Sequence, residues 1–118
     1  MEFKLADGEY KFTNIVWENE PINSTALVKL SLEQLGWKKA TTYTVLRKLC
    51  EKGILQNKNA VVTSIVKKEQ VQKYESETLL EKNFGNSLPA FLAAFLQDKK
   101  LTKQEAEEIQ KMIEKASR

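Results

Sequence analysis

The sequence predicts a mainly α protein, with a winged helix-turn-helix domain over residues 1–66 and a helical dimerisation domain over residues 67–118. Three observations predict it. Three helical segments with apolar faces occupy residues 6 to 53, a β-branched run broken by a polar turn follows at 54 to 65, and amphipathic helices without a further sheet fill the remainder. At 118 residues with 42% hydrophobic content, the chain can bury a real core without staples.

Taken in order, ADGEYKFTNIVWEN (residues 6 to 19) places Tyr10, Ile15, Val16 and Trp17 near helical spacing, with Asp7 as the expected N-cap. Pro21 stops this helix. Asn23 or Ser24 caps a second helix through about Leu35, whose inner face is Leu27, Leu30, Ser31, Gln34 and Leu35, and Gly36 stands where a helix end favours a left-handed residue. A third helix runs from about Lys39 to Lys52, with Thr42, Val45, Leu46 and Leu49 as its buried stripe and Ala40, Tyr43, Thr44, Arg47 and Glu51 opposite. Gly53 ends it. Ile54 to Gln56, the turn-forming Asn57-Lys58-Asn59 and the run Ala60 to Ile65 then read as a hairpin, the wing.

From Lys67 the chain continues directly into charged, helical sequence. Lys68 to Asn83 is a fourth helix, broken by Gly85-Asn86. Ser87 caps a fifth with Leu88, Phe91, Leu92 and Phe95 at i, i+3, i+4, i+7, and Pro89 tolerated in its first turn. Thr102-Lys103-Gln104-Glu105 is a capping box opening a sixth, striped by Ala106, Ile109, Met112, Ile113 and Ala116. With no sheet to cover, these stripes need a partner surface, and a second copy of the chain is the expected one through Leu88, Phe91, Leu92, Phe95, Ile109, Met112 and Ile113.

Charge points to the third helix. Residues 36 to 58 carry six cations (Lys38, Lys39, Arg47, Lys48, Lys52, Lys58) against Glu51 alone, +5, whereas residues 1 to 35 sum to −3 and 59 to 118 to +1. An overall +3 therefore conceals one basic patch. A major groove admits a helix that offers side chains to base edges and cations to phosphates. Tyr43, Thr44 and Arg47 are the candidates for the groove, Lys38, Lys39 and Lys48 for the backbone and Lys58 for a neighbouring phosphate, and Ala40 and Thr41 complete the set of expected DNA-binding residues. Lys38 and Lys39 stand at a helix start, where the macrodipole disfavours cations by roughly 0.3 to 1 kcal/mol each, and a bound phosphate reverses that cost. The expected partner is thus double-stranded operator DNA. The same basic face could instead serve a winged-helix module that binds an acidic protein.

Other classes find little support. With no histidine and one cysteine, Cys50, neither a disulfide framework nor the usual zinc and copper ligand sets can be assembled, so no metal and no cofactor are expected. Glu107 and Glu108 belong to a solvated helix face, Ser24, Ser31, Ser64, Ser76 and Ser87 lack a nucleophile signature, and no Gly-rich phosphate loop exists; an enzyme is not expected. Cys50 reads as a small, partly buried residue. No run of about 18 apolar residues and no signal-peptide pattern is present, so no membrane insertion and a cytoplasmic location are expected.

The segments IVWENEPI, LGWKKATTYTVLRKLCEKGIL and FGNSLPAFLAAFLQDKKLTKQEAEEIQKMI, in this order and spacing, resemble the penicillinase and methicillin-resistance repressor family over about residues 5 to 115. The resemblance implies a homodimeric winged-helix repressor whose N-terminal domains bind DNA and whose C-terminal helices form the dimer. It also implies a further partner, a membrane-bound antibiotic-sensing metalloprotease that triggers cleavage in the fifth helix, at a bond matching Ala94-Phe95. Two departures stand out: Ala94 replaces the family's asparagine before that phenylalanine, and Lys38-Lys39 replaces its Ser-Pro start of the recognition helix. The copper-responsive branch needs C-terminal cysteine clusters, which this chain lacks.

Overall fold

The computed structural model describes residues 3–117. Along them run α1 (Asp7–Asn19), β1 (Ile22–Asn23), α2 (Ser24–Leu35), α3 (Lys39–Glu51), β2 (Leu55–Lys58), β3 (Val61–Ser64), α4 (Lys68–Phe84), α5 (Leu88–Leu96) and α6 (Lys103–Ala116). The chain divides into two compact units, Met1–Thr78 and Leu79–Arg118. The division falls inside α4, beyond the 66/67 boundary read from the sequence, because Val71 is fully buried in the core of the first unit.

In the first unit, three helical stripes meet over a small antiparallel sheet. Phe12, Ile15 and Val16 of α1, Leu27 of α2 and Leu46 and Leu49 of α3 pack with Ile54, Leu55, Val62 and Val66. Each such side chain contributes about 1.5–3 kcal/mol by leaving water. Trp37, on the short link between α2 and α3, stacks on Phe12 at 5.5 Å. Trp17 donates its indole N–H to the Val66 carbonyl (3.0 Å), pinning α1 to the chain after the wing.

Helix boundaries follow local chemistry, with two corrections. The N-cap position of α1 is Ala6, not Asp7: Glu9 Oε1 accepts from the Ala6 N–H at 2.9 Å, so the side chain three residues on closes the start, and Asp7 becomes a first-turn acid favoured by the dipole. Gln34 is exposed and does not belong to the inner face of α2, which is Leu27 and Ser31 with half-buried Leu30 and Leu35. Asn23 Oδ1 accepts from the Thr25 N–H (2.8 Å) to cap α2. At its far end Gly36 adopts φ +69° with nothing near its absent Cβ, so glycine serves the backbone there rather than packing.

The wing also differs from expectation. Its turn is Asn59-Ala60, with φ of 52° and 63°, a two-residue left-handed connection, so Asn57 and Lys58 are strand residues, paired with Val62 and Val61. Ile22 and Asn23 add an unexpected third strand on Val62 and Val61, giving the order β1-β3-β2. The Ala60 carbonyl accepts from the Ser24 N–H at 2.8 Å, joining the turn to the start of α2.

In the second unit, Ser87 Oγ accepts from the Ala90 N–H (3.1 Å) to cap α5, and Thr102 with Glu105 closes the expected capping box of α6. Phe84, Phe91 and Phe95 form an aromatic run with centroid spacings of 5.4 and 5.7 Å, and the Lys99 ammonium lies 4.1 Å from the Phe95 ring. No described residue of α5 or α6 is buried: Met112 is 65% and Ile113 52% exposed. Among the described residues, no helix is long and apolar enough to cross a membrane.

Candidate nucleic-acid interface

The stripe Thr42, Leu46 and Leu49, each at most 2% exposed, turns the opposite side of α3 outward. Ala40, Tyr43, Thr44 and Arg47 are accordingly exposed, as are Thr41 and Lys48 beside them. Thr44 donates its hydroxyl to the Ala40 carbonyl at 2.9 Å, which leaves the oxygen's lone pairs facing solvent as acceptors.

Lys38 is the N-cap residue of α3 and makes no side-chain cap, and it and Lys39 are exposed. The first-turn N–H groups of α3 therefore present an unneutralised positive end, flanked by two ammonium groups. Such an end suits an anion.

Of the six cations counted in residues 36 to 58, Lys52 is committed elsewhere. It meets both carboxylate oxygens of Glu9 at 3.0 Å and ties the end of α3 to α1. Burial works against the charged form of Glu9, but the Ala6 N–H and Lys52 outweigh it, and its carboxyl is held below the ordinary value. The other ion pair found among the described residues is Lys67–Glu20 at 3.7 Å. Lys38, Lys39, Arg47, Lys48 and Lys58 are in neither pair.

Lys58 closes β2 rather than tipping the turn, which brings it across from α3. It shares with Tyr43 and Arg47 an open groove of about 580 Å³ between the helix and the wing. The sequence reading had missed Gln56, Asn57 and Ile65 on this groove, since no spacing rule links them to α3. Cys50 also lines it, half-buried, its thiol pushed up first by burial and then by Glu51. In the second unit, Leu88 and Phe95 are exposed and Phe91, Leu92 and Ile109 half-buried, and Ala94 is exposed on α5.

Comparison with known proteins agrees with this architecture. The family model described as Penicillinase repressor matches residues 5–115. The penicillinase repressor of Bacillus licheniformis is 22% identical over 115 residues, covering 94% of this chain and 90% of the relative. The methicillin resistance regulatory protein MecI of Staphylococcus aureus strain N315 is 20% identical over 117 residues, covering 96% and 95%.

Proposed function

The chain belongs to the penicillinase repressor family, and we propose that it is a homodimeric, sequence-specific transcriptional repressor that lays α3 in the major groove of a palindromic operator. One observation carries the reading: the outward face of α3 offers Tyr43, Thr44 and Arg47 between cations that form no ion pair among the described residues, at a helix start left without a side-chain cap. Tyr43, Thr44 and Arg47 read base edges, Ala40 and Thr41 allow close approach, and Lys38, Lys39, Lys48 and Lys58 hold phosphates. The regulated genes are of the resistance type that the relatives' names describe, and the protein acts in the cytoplasm, where such DNA lies.

The apolar stripes of α5 and α6 support the dimer, since Leu88, Phe95, Met112 and Ile113 remain exposed without a second copy. Two-fold symmetry then sets paired recognition helices about 34 Å apart, or a multiple of it. Release follows either a cut in α5 near Ala94-Phe95 that divides its stripe, with a membrane sensor protease as the partner, or another signal, the alternative that Ala94 in place of asparagine favours.

Fluorescence anisotropy on the duplex upstream of the gene for this chain tests the reading. Arg47→Ala is expected to cost roughly 1–3 kcal/mol per protomer on the cognate fragment only. Lys38→Ala should weaken every duplex alike and shrink the salt slope by about one per protomer. Unchanged affinity for Arg47→Ala refutes the groove assignment, and an absence of salt-dependent retention on any duplex favours the module that binds an acidic protein.

A further inference from the structure

The groove between α3 and the wing is lined unlike a surface made for a phosphate backbone alone. Leu46 and Leu55, 2% and 1% exposed, form its floor. Tyr43 and Ile65 stand on its sides, and Ile65 leaves half of its surface, 51%, in water. Arg47 and Lys58 supply its charge, neither belongs to an ion pair among the described residues, and no carboxylate lines it. Though open to solvent, the groove combines an apolar floor with a few convergent polar groups in about 580 Å³, the composition of a small-molecule site.

We propose that this groove binds a small aromatic carboxylate, its ring between Tyr43 and Ile65 above the buried Leu46 and Leu55, its carboxylate toward Arg47 and Lys58, and that this ligand competes with DNA. The chemistry selects both halves of the occupant. Leu46, Leu55 and Ile65 offer nothing to a hydrated phosphate, whereas a flat ring removes the exposed part of Ile65 from water. Two cations that belong to no ion pair among the described residues reward a single anionic group, and the planar guanidinium of Arg47 can take a carboxylate through two parallel hydrogen bonds. Competition rests on the DNA-binding reading above, because the ligand occupies Arg47 and Lys58, which that reading assigns to base and phosphate.

The probe is 2-naphthoate, titrated into the full ¹⁵N-labelled chain and followed by amide shifts, with neutral 2-naphthalenemethanol beside it. A ligand of this size is expected to bind with Kd on the order of 1 mM or tighter. Its saturable shifts should centre on Tyr43, Cys50, Gln56 and Ile65, and the alcohol should bind at least about tenfold more weakly. Saturating naphthoate should also slow alkylation of Cys50, the single thiol of the chain, by N-ethylmaleimide. Ile65→Glu places an acid on the exposed wall and should weaken naphthoate by about tenfold or more. Shifts centred on α5 and α6, equal binding of acid and alcohol, or unchanged affinity in Ile65→Glu overturns the site.

On the upstream duplex, naphthoate at ten times its Kd should raise the apparent DNA Kd of the dimer about 120-fold, elevenfold for each of its two grooves. If the groove fills and DNA affinity stays unchanged, the competition is overturned. If the groove fills and no duplex binds even without naphthoate, the repressor reading fails and the anion site stands.

Discussion

Ala60→Gly should stabilise the protein. Ala60 has φ +63° in the wing turn, a left-handed conformation that costs a residue with a Cβ about 1–2 kcal/mol. Glycine removes that cost and gives back roughly 0.4–1 kcal/mol through its greater freedom in the unfolded chain. Ala60 is exposed, so its methyl takes little burial with it. The hydrogen bond from Ser24 N–H to the Ala60 carbonyl, 2.8 Å, is backbone to backbone and survives the change. The net expectation is a gain of about 0.5–1 kcal/mol. For a domain of 60–100 residues, that raises the transition of the first unit by roughly 2–8 °C. Urea and thermal unfolding of the full chain, followed by circular dichroism with the m-value checked for constancy, measures it. A lowered or unmoved midpoint refutes the left-handed two-residue turn, and with it the placing of Lys58 in β2 opposite Val61. Ala60→Val is the control of opposite sign, since a β-branched residue at this φ should lower stability by more than 1 kcal/mol.

Thr42→Val should raise stability by about 1 kcal/mol, because the Thr42 hydroxyl is fully buried without a hydrogen-bond partner and valine fills the same space; a loss in urea unfolding argues that the hydroxyl is satisfied in solution. Glu9→Gln should cost roughly 0.5–1 kcal/mol at neutral pH by breaking the contact with Lys52. Since the Glu9 carboxyl ionises more readily folded than unfolded, its contribution is complete above its ordinary value of 4.5 and fades as pH falls through the lowered one. The difference between Glu9→Gln and the parent should therefore close on acidification, and a constant gap from pH 7 to pH 2 contradicts the assignment. Met112→Glu, which sets a charge on a side chain already 65% exposed, should leave helicity intact and shift sedimentation at micromolar concentration from dimer to monomer; a persistent dimer removes α6 from the interface.

The helices were legible in the sequence because helical period is a local property. Thr42, Val45, Leu46 and Leu49 recur at the spacing that faces one way, and Ser87 and Thr102 carry their caps within three residues. Period has no purchase on β1, since Ile22 and Asn23 are two residues whose strand character exists only through Val62 and Val61. The wing turn was misplaced for a related reason: Asn57-Lys58-Asn59 has the composition of a turn, but the pairing of Leu55 with Ser64 sets the register and forces Ala60 into a left-handed conformation that alanine does not advertise.

Charge shows the same limit at the site itself. Counting cations between residues 36 and 58 locates the basic patch, yet six equal charges spread along the segment do not say which of them face a ligand. The fold separates them through a residue far away in sequence. Glu9, near the start of α1, takes Lys52 and leaves five cations along the exposed length of α3 and β2. Lys52 stands at the C-cap of α3, where a cation already favours the helix dipole, so the ion pair adds an anchor to α1 at the end of the helix farthest from Lys38. The opposite end carries the reverse arrangement: two lysines where the dipole disfavours them, neither in an ion pair among the described residues. One end of α3 is thus tied inside the protein, whereas the other leaves its first-turn N–H groups and two lysines exposed, the asymmetry expected of a helix that receives a phosphate at its start.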